Sequence, residues 1–486
     1  MIPFNQLLTQ PLFPFSFDED FDYFGVTLTA GDFNGDGVGD LSIGATGEDI
    51  GFITDSGRVH TIYGSFVGLS TLTTQVWDDD TLAPLNSVAE MDDVFGSSLI
   101  AADFNGDGYD DMAIGAWGKD VGLSFDAGAV TVGYGSMVGI TDAGSQQWTE
   151  DAIGDGNLSL AFDYFGASLS AGDFNGDGYD DLVIGTYGDD LSSIEDAGQV
   201  NVLNGSVFGL TNIGSTTWNQ AVPQAFSHFG STLTTGDFNG DGYDDLVAGS
   251  PDLDLIGAAD GGAVDIAYGS FFGLDLLNTD FFSQDTSSIV GVAEAGDQFA
   301  SSLASGDFNG DGYDDLAVGV AGEDWGTVTD SGSVNLMYGS VLGITAMGDN
   351  QLTQNDLIGG GVAEAFDGFG TTLAVGDFNL DGYDDLVVGS PNETWRSAVS
   401  AGAVDVIYGS ASGLTGLDHQ LWTQDTFGVQ DMAESFDNFG SSLAVQDFNG
   451  DGIDDLAIGA SGEDIGNLTD VGVVHVLHGS SRGLVA

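Results

Sequence analysis

The sequence predicts an all-β fold: a seven-bladed β-propeller of four-stranded antiparallel blades, its ring closed by an N-terminal strand that joins the last blade. Three observations carry this reading. The string Asp-Phe-Asn-x-Asp-Gly occurs seven times, beginning at Asp32, Asp103, Asp173, Asp237, Asp307, Asp377 and Asp447, at spacings of 71, 70, 64, 70, 70 and 70 residues. Apolar residues around it alternate with period two, and no helical period runs through the units. Residues 1–31 and 447–486 together make one further repeat length, as expected of a ring whose chain ends meet inside one blade.

Each unit reads as four strands. Eight residues before each motif stands a Phe, followed by Gly in Phe24-Gly25, Phe95-Gly96, Phe165-Gly166, Phe229-Gly230, Phe369-Gly370 and Phe439-Gly440, and by Ala only in Phe299-Ala300. From this Phe a first strand alternates, as in Phe165, Ala167, Leu169 and Ala171. A second run follows the acidic loop (Leu456 to Gly459). A third has Val264, Ile266 and Tyr268 on one side and ends at Gly269-Ser270, and a fourth carries Trp77, Trp148, Trp218 or Trp422. The predicted blades are 21–91, 92–161, 162–225, 226–295, 296–365, 366–435 and 436–486. The last has three strands of its own. Asn5 to Gln10 resembles the fourth-strand segment His419 to Gln424, so residues 1–20 are expected to complete the last blade, through a strand near 5–10.

The chain has 77 Asp plus Glu and 4 Lys plus Arg, a formal charge of −73. Such a surface repels nucleic acid and anionic membranes. Disorder is not implied, because 42% of residues are hydrophobic and mean hydropathy is +0.09. Cysteine is absent, which excludes disulfides and thiolate metal sites. The N-terminus shows no signal peptide, and no apolar stretch is long enough to span a membrane, so no membrane insertion is expected.

The repeated loop places oxygen ligands at positions 1, 3, 5 and 9, offers the backbone carbonyl of position 7, and turns on Gly at position 6. Hard oxygens on alternate residues suit Ca²⁺ better than Mg²⁺ or zinc. The expected sites, one per blade and about seven in all, are Asp32, Asn34, Asp36, Val38, Asp40; Asp103, Asn105, Asp107, Tyr109, Asp111; Asp173, Asn175, Asp177, Tyr179, Asp181; Asp237, Asn239, Asp241, Tyr243, Asp245; Asp307, Asn309, Asp311, Tyr313, Asp315; Asp377, Asn379, Asp381, Tyr383, Asp385; and Asp447, Asn449, Asp451, Ile453, Asp455. Position 12 is Ile43, Ile114 or Ile184 rather than Glu, so position 9 must close the site. Six copies add an Asp at position 8, and loops this acidic repel themselves unless a cation is bound. Bound metal is therefore expected to stabilise the fold.

With these features the chain resembles the FG-GAP repeat proteins, the propeller of integrin α subunits and their bacterial relatives. Phe439-Gly440 matches the first name-giving element; Gly44-Ala45-Thr46, Gly115-Ala116-Trp117, Gly249-Ser250-Pro251 and Gly389-Ser390-Pro391 match the second. The resemblance covers essentially the whole chain and implies Ca²⁺ in hairpins of one face and recognition by loops of the other. A loop in every blade is similar to the bacterial members rather than to integrins.

Loops between the second and third strands carry Glu48-Asp49 with Asp55, Asp189-Asp190 with Asp196, Glu323-Asp324 with Asp330, and Glu463-Asp464 with Asp470. A solvated acidic rim is the plainer reading, a second layer of cation binding or docking of a basic ligand the sharper one. Trp117, Tyr187, Trp325 and Trp395 lie in or beside these loops, and Trp395 with Arg396 is the single best recognition candidate. His60 and His475 fill a polar third-strand slot rather than forming a catalytic pair. The expected function is that of a calcium-loaded, non-enzymatic recognition or adhesion module, extracellular or at the cell surface, with a protein or glycan ligand. It is expected as a monomeric propeller or a module of a larger protein. The alternatives are a structural scaffold of a salt-adapted organism and, behind it, a calcium-dependent polysaccharide lyase or phosphodiesterase.

Overall fold

Second strands such as Asp181–Thr186 (Asp-Leu-Val-Ile-Gly-Thr) are buried on both sides, because blades stack face to face and cover both surfaces of each sheet. The computed structural model describes residues 5–13, 18–82, 88–154, 158–357 and 361–486. It contains seven four-stranded antiparallel sheets. In the second blade the strands are Ser98–Ala102, Asp111–Ala116, Ala129–Tyr134 and Thr141–Trp148. First strands pack against one another around the ring and line its axis, while fourth strands, exposed at their starts, form the rim. Helix is confined to single turns after fourth strands, such as Asp79–Leu82 and Glu150–Ile153.

The last blade is composite. Phe439–Gln446, Asp455–Ala460 and Val473–Leu477 receive Gln6–Leu8 as a fourth strand, with Leu7 opposite His475. Residues 1–4 and 14–17 of the predicted closing segment lie outside the described residues. Leu8 and Phe13 are buried in the core between the last and first blades.

The first strand is shorter than its alternation suggests. In most blades it begins three residues after the Phe, because the Phe-Gly glycine turns with positive φ, +89° at Gly25 and +87° at Gly166. A Cβ on Gly25 would stand 2.8 Å from Val474 Cγ2 and 3.0 Å from the Val473 carbonyl. The missing side chain thus lets adjacent blades meet backbone to backbone. Two residues on, a hydroxyl donates across this seam to the next blade: Thr27 to the carbonyl of Gly96, Ser98 to Gly166, Ser168 to Gly230, Thr232 to Ala300, Ser302 to Gly370, Thr372 to Gly440, and Ser442 to Gly25, all at 2.5–2.8 Å. The last bond joins the chain's two ends.

Removing a buried donor leaves its carbonyl unsatisfied, at a cost of about 1–3 kcal/mol. Ser442→Ala is therefore expected to lower stability by that amount in urea unfolding, and as much as Ser98→Ala does at an internal seam. A markedly smaller loss for Ser442→Ala would show that ring closure does not depend on its seam bond.

Candidate metal centre and the opposite face

Each acidic loop folds on its own side chains. In the first, the Asp32 carboxylate accepts the amides of Asp36 (3.0 Å) and Gly37 (2.8 Å), and Asp36 accepts that of Val38 (3.0 Å). The position 9 acid opens the second strand and is buried in all seven copies. One of its oxygens accepts a glycine amide at the end of the third strand, Gly64 to Asp40 and Gly479 to Asp455 at 2.8 Å. The Asn side chain donates to the same carboxylate, 3.2 Å from Asn34 to Asp40. Burial, and then the loop's other acids, push this carboxyl to about 8 in Asp40 and Asp111 and about 7 in Asp181, Asp245 and Asp315. Asp385 is pushed to about 8, chiefly by burial. In Asp455 burial also raises it, and His478 Nδ1 at 2.9 Å pulls it back.

This donor set fits a hard divalent cation. It is all oxygen, it is held by backbone amides, and it includes a buried carboxyl that needs a proton or a cation beside it. A cavity of about 240 Å³ opens at the third loop, lined by Asn175, Asp177 and Asp181 together with Phe271 and Phe272 of the next blade. The three acids of a loop are not drawn within 4.8 Å of one another. Holding a cation therefore requires side-chain rotation, the Asn first, since its amide nitrogen now faces the position 9 acid.

The position 8 acids do not belong to their own loops. Each reaches back to the previous blade and accepts the amide of its position 1 residue: Asp110 from Asp32, Asp180 from Asp103, Asp244 from Asp173, Asp314 from Asp237, Asp384 from Asp307 and Asp454 from Asp377, at 2.7–3.0 Å. They are inter-blade braces rather than extra charge on one loop. The first copy has Gly39 there, at the joint with the last blade, and a Cβ on it would stand 2.0 Å from Gln446 Cγ. Gln446 fills that space, its side-chain oxygen accepting the Asp447 amide at 3.1 Å.

On the opposite face, the acids read as a solvated rim divide. Asp49, Asp190, Asp324 and Asp464 accept backbone amides of their own loops. Glu48, Asp189 and Glu463 are buried, and Glu323 is partly so. They meet the segment that follows the preceding fourth strand. Gln10 donates to Glu48 at 2.8 Å, Gln284 to Glu323 at 2.5 Å, Gln354 to Glu393 at 2.8 Å and Gln424 to Glu463 at 2.6 Å. The second blade puts Lys119 between Asp79 and Asp93, 2.9 Å from each. The third gathers Glu150, Asp163 and Asp189, among the described residues the one trio of acids within 4.8 Å.

Bonded through their backbone amides to these loops is a set of aromatic residues that sequence reasoning missed. Phe21, Phe162, Phe226, Phe366 and Phe436 precede the Phe-Gly element by three positions, are roughly half exposed, and take φ between +61° and +75°. Their signal was present as a Phe at one fixed offset in five of seven copies. Strained backbone of this kind concentrates at functional surfaces. A row of rings runs from Trp117 through Tyr164 and Tyr187 to His228, with centroids 5.5, 5.2 and 5.5 Å apart. It borders a cavity of about 430 Å³ that Phe162, Asp190, Glu195 and Asp196 also line. His228 pairs with Asp252 at 2.7 Å, which raises the imidazole and lowers the carboxyl. Trp325 and Trp395 stand outside this row. Trp395 donates to Asp425 at 3.2 Å, Arg396 meets the same carboxylate at 2.5 Å, and the guanidinium lies 5.8 Å from the Trp395 ring. His60 and His475 are fully buried against Phe24 and Phe439 and pushed down to about 3, so both are neutral.

A carboxyl raised by folding binds its proton more tightly folded than unfolded, so its contribution is present at low pH and lost as pH rises. Chelator-treated protein is accordingly expected to lose melting temperature between about pH 5 and pH 8. A flat or rising profile would show that the position 9 acids do not carry it. Position 4 is Gly in six loops, and an aromatic ring stands within 2.8 Å of where its Cβ would be, the next blade's Tyr in five of them and Phe66 at Gly450. In the sixth loop the neighbour is Ile453 and the residue is Leu380, at φ +58° and largely exposed. Leu380→Gly is expected to raise unfolding free energy by about 1 kcal/mol.

The FG-GAP repeat profile matches residues 24–62, 95–132, 165–203, 229–266, 299–336, 369–407 and 439–477. Phosphatidylinositol-glycan-specific phospholipase D of Rattus norvegicus is 42% identical over 114 residues, 24% of this chain and 13% of that protein. Integrin alpha pat-2 of Caenorhabditis elegans is 33% identical over 251 residues, 48% of this chain and 18% of the relative. Integrin alpha-8 of Gallus gallus is 32% identical over 234 residues, 47% and 20% respectively. The chain thus spans about a fifth or less of these relatives. With the repeat matched in all seven blades, the chain belongs to the FG-GAP repeat family, as an integrin α-like β-propeller.

Proposed function

We propose that this chain is a calcium-loaded, non-enzymatic recognition or adhesion module that works outside the cell and binds a protein or glycan on the face opposite the acidic loops. The observation that carries the recognition role is the set of half-exposed phenylalanines bonded to the second-to-third-strand loops of that face, held at positive φ beside carboxylates and the Trp117–His228 row. Rings with polar neighbours suit both sugar stacking and protein anchoring. Integrin α relatives support a recognition module, and the phospholipase name belongs to a protein of which this chain matches 13%.

Calcium is supported by seven loops that keep every oxygen donor and by position 9 carboxyls that burial leaves in need of a counter-charge. Residues 1, 3, 5, 7 and 9 of each loop would hold it, and the ion would supply that charge. Sites of this kind fill at the millimolar calcium found outside cells. Among the described residues, no helix is long and apolar enough to cross a membrane.

Calorimetric titration of chelator-stripped protein is expected to give about seven ions bound, with a melting temperature that rises on loading and loses its pH slope. Absence of binding would overturn the calcium reading. Screening of glycans and surface proteins in calcium buffer is expected to find a ligand whose binding falls at least tenfold in Phe162→Ala or Tyr187→Ala. A ligand indifferent to both would place recognition elsewhere.

A further inference from the structure

Position by position, the loop between the second and third strands carries Glu48, Lys119, Asp189, Leu253, Glu323, Glu393 and Glu463. Only the fourth blade is apolar here. Leu253 is buried, and Gln220, the counterpart of the glutamines that bond those glutamates, turns instead to Asp265 (3.2 Å) and Ser250 (3.5 Å). Beside them is a cavity of about 470 Å³, within the range of small-molecule sites. Leu253, Leu255 and Ile256 of the loop, Val222 of the incoming segment and Phe281 of the fourth strand line it. Val222 and Ile256 are strongly exposed and form the mouth, while Leu253, Gln220 and Asp265 are more than nine-tenths buried and form the floor.

On that floor the Gln220 side-chain nitrogen is already spent on Asp265 and Ser250, which leaves acceptors. The Gln220 side-chain oxygen is buried with no hydrogen-bond partner, as are those of its counterparts in other blades, but here the residue lines an open cavity. Asp265 sits on the third strand opposite Phe281, and no Lys, Arg or His among the described residues pairs with it. The corresponding Asp405 of the sixth blade has His419 Nε2 at 3.8 Å. A buried carboxylate wants a cationic donor. Apolar walls around a floor whose open polar atoms are acceptors define the complementary molecule.

We propose that this fourth-blade cavity is a binding site for a small primary amine with an aliphatic or aryl body, the body against Leu253, Ile256 and Phe281 and the ammonium donating to Asp265 and Gln220. Burial raises the Asp265 carboxyl only to about 6, so near pH 7.5 the ammonium meets an ionised partner. The site requires no metal, and its lining shares no residue with the Trp117–His228 row or its cavity.

The test is calorimetric titration of the full chain with hexylamine and phenethylamine, and with hexanol as the uncharged isostere, in 0.3 M NaCl to screen diffuse attraction to the chain's charge. One saturable amine site is expected, with hexanol at least tenfold weaker. Asp265→Asn is expected to weaken amine binding at least tenfold, and it folds safely because the third and fifth blades carry Asn201 and Asn335 at that position. Leu253→Glu recreates the Gln–Glu pair of four other blades and is expected to abolish binding with melting temperature retained. Unsaturable amine binding, equal binding of hexanol, or affinity unchanged in Asp265→Asn would each overturn the proposal.

Discussion

At every joint the chain passes through a left-handed step, Phe-Gly in six of seven, whose missing side chain lets the preceding blade's backbone approach, and a hydroxyl of that blade then ties the two across the gap. The rest of the molecule depends on this approach. It sets the distance at which first strands surround the axis, and with it the face-to-face packing that buries the second and third strands on both sides. The bond from Ser442 to Gly25 is the same bond, so the joint where the chain ends meet is tied as the internal ones are. The fifth step, with Ala300 at φ +77°, keeps the conformation although its residue does not favour it. Neighbouring blades thus override local preference.

A chain with formal charge −73 folds because its acids are given separate tasks. Position 1 acids hold backbone amides within their loops, position 8 acids brace the preceding blade, and the glutamates of the opposite face meet linker amides or arginine. What remains is the buried position 9 carboxyl, with which no lysine or arginine among the described residues pairs; in the last blade His478 Nδ1 lies 2.9 Å from it. Each of these seven points has the donor set of a cation site. Burial raises carboxyls at other repeat positions as well, Asp22, Glu48 and Glu463 among them, but the position 9 acids stand in loops that offer further oxygen donors.

Seven blades, four strands each and the closing strand were legible because period-two alternation and a 70-residue spacing report directly on burial and topology. The acidic loops were legible as local units for a similar reason, since their oxygen donors lie within nine consecutive residues. The role of Asp110 or Asp180 was not, because its partner belongs to another repeat and sequence distance says nothing about which blade a side chain faces. The burial of Glu48 was hidden likewise, as it depends on Gln10, whose segment packs over the following blade. The five phenylalanines were visible as a pattern but not as exposed rings, since exposure follows from a backbone angle that sequence does not display.

The repeats differ most where two of them touch, and the differences come in pairs. Gly39 lacks the brace its six counterparts provide, and Gln446, across the same joint, occupies the space. Leu380 replaces a glycine where the facing Tyr has become Ile453. Lys119 stands where four blades place Glu, and the linker residue beside it is Asp79 instead of Gln, so that donor and acceptor have exchanged sides. Leu253 breaks this rule, because Gln220 has not changed with it. A substitution matched across a joint restores packing or charge and leaves nothing for a ligand to do, whereas an unmatched one leaves a cavity and unsatisfied acceptors. The fourth blade is set apart by this missing compensation, not by its divergence as such.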